Sequence, residues 1–106
     1  MRAKFDGCTQ GSPEWSEAVF KKDVEEINNS DAVVALYYGS NGDTGTAWEC
    51  GYAYSLGKPV VLVHVNKVGD SNLMMHCFAA TNIYLDELAG YDFESMPVFT
   101  YSGKMF

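Results

Sequence analysis

The sequence predicts an α/β fold with a parallel sheet of the flavodoxin-like or Rossmann-like type. Two short apolar runs, DAVVALYY at 31–38 and PVVLVHV at 59–65, are rich in strand formers and indicate buried strands. A weaker third strand is predicted at 82–85, followed by an irregular aromatic tail. Helical patterns alternate with these runs, which is typical of a parallel sheet. The sheet therefore has about three strands, and the 106 residues form a single domain over 1–106.

The helices are predicted from their end signals. Ser12 is a suitable N-cap and Pro13 a suitable first helical residue, so a helix begins there and runs to about Asn28 or Asn29. A second helix is predicted over about 45–56, before a glycine and a proline, and a short third one around 72–79. The loops after the first two strands then lie at the carboxyl edge of the sheet, where ligands bind in such folds.

Composition narrows the choice of function. The net charge of −7 argues against binding to a nucleic-acid duplex or a membrane surface and favours a neutral or cationic small molecule. Cys8, Cys50 and Cys77 are odd in number and far apart, which argues against a disulfide framework and a zinc site and favours reduced thiols in the cytoplasm. We expect no metal and no membrane span, and we expect His64 and His76 to be structural.

Two carboxylates occupy helix faces that are otherwise apolar. Taken at about 100° per residue, Asp23 falls inside the apolar arc of the first helix. Glu49 shares a face with Tyr52, Ala53 and Leu56, about one turn beyond the start of the second helix. A buried carboxylate is costly without partners, so each side chain either lines a cavity or is held by hydrogen bonds.

Two more polar residues lie in the loops at the predicted ligand edge. Asp43 stands beside glycine in the first of these loops, where a turn alone would explain it. Asn72 follows the second strand, where capping of the third helix would explain it. Together with Asp23 and Glu49 they form a set of three carboxylates and one amide. Paired carboxylates with separate roles are what cleavage of a glycosidic bond requires.

The stretch DTGTAWECGYAYSLGKPVVLV resembles the core motif of the nucleoside 2-deoxyribosyltransferases. FKKDVEEI before it, and NLM and YDF…FTYSGKMF after it, resemble that family in the same order. The resemblance implies that Glu49 is the nucleophile that attacks C1′ of deoxyribose, and that Asp43 and Asp23 contact the nucleobase and assist its protonation. It implies that Asn72 and Met74 lie at the sugar site of a neighbouring subunit.

The resemblance implies that the substrates are 2′-deoxynucleosides and free nucleobases and that no cofactor is needed. It also implies a homo-oligomer whose subunits share their active sites. The family fold begins with a strand and a helix that MRAKFDGCTQ does not supply. We therefore expect three parallel strands where the family has five, and apolar surface that is exposed in a monomer. Either the chain is a fragment, or the open edge of its sheet is covered by another copy or another chain.

Two alternatives stay open. One is a 2′-deoxynucleoside 5′-monophosphate N-glycosidase, which transfers the sugar to water; its phosphate would need basic contacts, and only Lys67 is near the ligand-edge loops. The other is an inactive nucleoside-binding or interaction module. For Trp48, Tyr38 and Tyr52, which could narrow the pocket, we expect at least two to be core residues.

Overall fold

The computed structural model describes residues 10–39, 44–66 and 70–106. The chain forms two compact units, residues 1–30 and 31–106, which are described separately below. The single-domain organisation stays a prediction. In the described ranges, no helix is both long enough and apolar enough to cross a membrane.

The first unit contains helix α1, Pro13–Asn28. It begins at the predicted residue because the Ser12 hydroxyl oxygen accepts a hydrogen bond from the Trp15 backbone N–H at 3.1 Å, which satisfies a donor that the helix itself cannot pair. Val19 and Ile27 are its buried side chains. They are eight residues apart and therefore share one face of the helix.

The second unit is built on a three-stranded parallel sheet, as predicted. Its strands are β1 (Val33–Tyr37), β2 (Val60–His64) and β4 (Thr81–Tyr84), in the order β1-β2-β4. All five residues of the central strand β2 are buried. Two of them, Val61 and Val63, form a core cluster with Ile83 of β4.

Strand β1 lies at an edge of the sheet and carries the exposed apolar surface that was expected. Val34 and Leu36 are 45% and 43% exposed, whereas Ala35 and Tyr37 on the opposite face are buried. This alternation follows from the two-residue period of a strand.

Helix α2, Thr44–Ser55, connects β1 to β2 and buries Cys50 and Ala53. It ends because Gly57 adopts a φ of 74° and the next backbone N–H, that of Lys58, donates to the Ala53 carbonyl at 3.0 Å. This is the hydrogen-bond pattern of a glycine-terminated helix, as the sequence predicted.

The tail is more ordered than predicted. A second, two-stranded parallel sheet pairs β3 (Asp70–Ser71) with β5 (Lys104–Met105). Between β3 and β4 lies the short helix α3, Leu73–His76, and a 3-10 helix covers Leu85–Gly90. Residues 91–103 contain no helix or strand, as predicted, and the prediction of an irregular tail was wrong only for the 3-10 helix and for β5. A two-residue strand carries no periodic signal in the sequence.

Candidate active site

Described residues that flank the loops after β1 and β2 lie close together at the carboxyl edge of the sheet. Gly39 follows β1 with a φ of 71°. A Cβ atom added to Gly39 would lie 2.6 Å from the backbone oxygen of Asp70, which precedes Asn72 by two residues. Only glycine permits both this φ and this close approach.

Glu49 lies on α2, is half-buried, and lines a cavity of about 290 Å³ between α2 and β1. The other lining residues come from β1, its carboxyl end and the first half of α2, and they are mostly apolar: Val33, Val34, Ala35, Leu36, Tyr38, Thr46 and Cys50. Among these lining residues Glu49 supplies the only carboxylate, so it is the group that can meet developing positive charge in this cavity.

Cys50 is the second potential nucleophile in the cavity, and its environment keeps it protonated. Burial, and then the negative charge of the neighbouring Glu49, raise the pKa of the Cys50 thiol to about 11. A neutral thiol is a poor nucleophile. Of the two adjacent side chains, the thiol is therefore held in its unreactive form.

Two of the three aromatic residues that were considered able to narrow the pocket are not core residues. Tyr38 is 44% exposed and Trp48 is 48% exposed, so the expectation that at least two of the three belong to the core was wrong. Trp48 stacks on Tyr52 one turn later, with ring centroids 5.3 Å apart and an interplanar angle of 11°. Both rings stand on the same helix as Glu49.

Asp23 lies on the buried face of α1, as the helical pattern predicted. It is half-buried and lies four residues from each of the buried residues Val19 and Ile27. It belongs to the first unit, while Glu49 belongs to the second. Asp43, the third predicted acid, lies outside the described residues, as do Cys8 and Lys67.

Asn72 caps α3, the structural role that its position in the sequence suggested. Its side-chain oxygen accepts from the Met74 backbone N–H at 2.8 Å. Its own backbone N–H donates to the Tyr37 hydroxyl at 2.9 Å, which ties it to the carboxyl end of β1. Met74 is 73% exposed.

Buried polar side chains form a layer at this edge of the sheet. The sequence led us to expect structural roles for both histidines, but it did not predict the layer. His64 Nε2 lies 3.0 Å from the Asn82 side-chain oxygen, and His76 Nδ1 lies 2.9 Å from the Ser71 hydroxyl. The Tyr101 ring contacts both imidazoles, with centroid distances of 4.5 and 5.0 Å. The layer depends on strand register and on the tail, which the sequence pattern does not reveal.

The protonation state of His64 follows from this layer. Burial lowers the pKa of His64, the hydrogen bond with Asn82 opposes that effect, and nearby His76 lowers it further. The Asn82 amide donates to the His76 carbonyl at 3.1 Å, so its oxygen faces His64 and the neutral imidazole donates from Nε2. In the described parts of the chain, no group of three or more His, Cys, Asp or Glu side chains could hold a metal ion.

Comparison with known proteins agrees with the fold and the motif. The sequence profile of the family described as nucleoside 2-deoxyribosyltransferase matches residues 4–86. The nucleoside deoxyribosyltransferase of Lactobacillus johnsonii is 36% identical over 95 residues, which are 88% of this chain and 64% of that protein. The Lactobacillus leichmannii enzyme of the same name is 28% identical over 94 residues, 87% of this chain and 60% of that protein.

A solved 2-deoxyribosyltransferase from Bacillus psychrosaccharolyticus has a similar structure. It superposes with a TM-score of 0.80 and 35% identity, over 92% of this chain and 72% of that chain. The present chain spans 64% of the length of the L. johnsonii relative, which is somewhat less than two thirds. The profile match covers well over half of the chain, and the chain therefore belongs to the nucleoside 2-deoxyribosyltransferase family.

Proposed function

We propose that this chain transfers 2-deoxyribose between nucleobases by a retaining double displacement in which Glu49 is the nucleophile. The observation that carries the proposal is the position of Glu49, half-buried in a largely apolar cavity beside a thiol that stays protonated. A carboxylate in such a setting stabilises positive charge more strongly than one in water.

In the first step a Glu49 oxygen forms a bond to C1′ of a 2′-deoxynucleoside. The bond from C1′ to the base nitrogen breaks, and its electron pair leaves with the base, which takes a proton from an acid. In the second step a nitrogen of another base attacks C1′, the ester bond to Glu49 breaks, and the incoming base gives up its proton. Two inversions at C1′ give net retention.

The residues that handle the base and the sugar are proposed from the family resemblance. Asp23 and Asp43 contact the base and move its proton, and Asn72 and Met74 contact the sugar in the site of a neighbouring copy. The cavity beside Glu49 supports a shared site. Its volume of about 290 Å³ is just below the range of about 300–1,000 Å³ for small-molecule sites, as expected for a site to which another chain adds walls.

A transfer assay tests the reaction. Deoxyinosine is incubated with and without adenine, and the products are separated by chromatography. The proposal predicts deoxyadenosine when adenine is present. Hydrolysis to free deoxyribose without adenine would instead indicate the N-glycosidase activity, and no reaction by a folded chain would indicate a binding module.

A trapping experiment tests the nucleophile. The protein is incubated with a 2′-fluoro-2′-deoxynucleoside and analysed by mass spectrometry, with a sugar adduct expected on Glu49. Glu49→Gln should lose both the adduct and the transfer. Glu94→Gln, at an exposed position in the tail, is the matched control and should keep both. An adduct on another residue, or full transfer by Glu49→Gln, would contradict the assignment.

A further inference from the structure

Tyr37 is the last residue of β1, and its phenol is buried at the carboxyl edge of the sheet. Its side chain is 6% exposed, and its ring meets the His64 ring edge-on, with centroids 5.7 Å apart. Its hydroxyl accepts the backbone N–H of Asn72 at 2.9 Å, across 35 residues of sequence. A buried ring packed in this way has one orientation available, so its hydroxyl is a fixed acceptor.

Asn72 is held at three of its polar groups, since its carbonyl oxygen also accepts the backbone N–H of Met75 at 2.9 Å and that of His76 at 3.3 Å. The Tyr37 hydroxyl fixes its backbone N–H, and its side-chain oxygen caps the Met74 N–H. These contacts leave the side-chain NH₂ as the part of Asn72 that can donate to a ligand. The direction of that NH₂ group depends on two of these contacts. The hydrogen bond to Tyr37 positions the backbone of Asn72, and the hydrogen bond from Met74 sets its side-chain rotamer.

We propose that Tyr37 is a positioning residue, whose hydroxyl orients Asn72 so that its amide can bind the sugar hydroxyls of a deoxynucleoside. This inference rests on the proposed function. Tyr37 itself touches no substrate in this proposal, and its effect passes entirely through Asn72.

A double-mutant cycle separates this role from a general contribution to stability. Tyr37→Phe removes only the hydroxyl. Asn72→Ser removes the amide but keeps a side-chain oxygen that can cap α3. Tyr91→Phe is the matched control, because it deletes another tyrosine hydroxyl that is hydrogen-bonded at 2.8 Å, to the Pro97 carbonyl, outside the candidate site.

The expected result is non-additive. Loss of one hydrogen bond corresponds to about a fivefold effect, so Tyr37→Phe should raise KM for the deoxynucleoside about fivefold while kcat changes less. Asn72→Ser should raise KM further, and adding Tyr37→Phe to it should have no additional effect. Additive effects, or equal KM values for Tyr37→Phe and Tyr91→Phe, would overturn the inference.

Amide hydrogen exchange gives a readout that does not depend on activity. The Asn72 N–H should be protected in the wild-type protein and should exchange about fivefold faster in Tyr37→Phe, but not in Tyr91→Phe. An unprotected Asn72 amide in the wild-type protein would overturn the inference at its first step. A wild-type chain that shows this protection but no transfer would refute the proposed function, and with it the catalytic purpose of the contact.

Discussion

Replacing Gly39 by alanine should destabilise the protein more than the same change at Gly57, although the two glycines have nearly the same backbone conformation. Their φ angles are 71° and 74°, both in the left-handed region. For a residue with a Cβ this region costs about 1–2 kcal/mol, partly offset by about 0.4–1 kcal/mol from the lower entropy of the unfolded chain. Gly57→Ala should therefore lower the free energy of unfolding by about 1 kcal/mol.

Gly39→Ala carries an additional steric cost. Its Cβ would lie 2.6 Å from the Asp70 backbone oxygen and 2.9 Å from a carboxylate oxygen of Asp70, whereas nothing lies within 4 Å of a Cβ at Gly57. The backbone oxygen cannot rotate away, so one of the two loops must shift. Such overpacking costs about 1–3 kcal/mol, giving a total of about 2–4 kcal/mol.

Urea denaturation of the two variants measures the difference directly, as a change in midpoint at constant m-value. Gly57→Ala serves as the control for backbone conformation, so the difference between the variants isolates the close approach of the two loops. Equal losses in the two variants would refute the close packing of residue 39 against residue 70. A gain in stability for Gly39→Ala would refute its left-handed conformation as well.

Two further predictions concern titrating groups. Because the folded pKa of His64 is lowered, the unfolded state binds its proton first as pH falls below about 6.5. The contribution of neutral His64 to the free energy of unfolding is therefore complete above that pH and falls below it, by at most about 1.4 kcal/mol per pH unit. In urea titrations at several pH values, His64→Gln should flatten this dependence of the unfolding free energy on pH. An unchanged slope in that variant would contradict a lowered pKa. Glu49→Gln should speed alkylation of Cys50 by iodoacetamide at pH 9, because one of the two causes that raise its pKa is removed, while exposed Cys77 should react first in both proteins and at the same rate. Peptide mapping distinguishes the cysteines, and an unaltered Cys50 rate would show that the Glu49 charge does not reach the thiol.

The parallel sheet could be predicted because two of its three strands are continuous apolar runs, which a chain of this size must bury. Likewise, helical periodicity placed Asp23 on the buried face of α1, since Val19 and Ile27 lie four residues to either side. It also placed Glu49 on the inner side of α2. These are properties of single elements, and a local pattern is sufficient to fix them.

The remaining features depend on contacts between distant parts of the chain. The hydrogen bond between His64 and Asn82 spans 18 residues and requires the parallel register of β2 and β4. The pairing of β3 with β5 requires the end of the chain to return to residue 70. Tyr38 is an aromatic residue of the kind found in cores, but it lies on the cavity wall. Residue type alone does not distinguish a core from an apolar binding site.

The carboxyl edge of the sheet is organised by a row of polar rings. Tyr37, His64 and Tyr84 are paired in register at the ends of β1, β2 and β4. Buried polar groups must find partners, and in the described part of the chain every buried side-chain nitrogen or oxygen has one. Each partnership selects a single arrangement, whereas an apolar core tolerates several packings of similar energy. The apolar bodies of the strands therefore supply most of the stability, and the polar row at their ends determines where the neighbouring loop can lie. Substitutions in the two regions should have different signatures, a loss of unfolding free energy in the first and a change in the geometry of the Asn72 loop in the second.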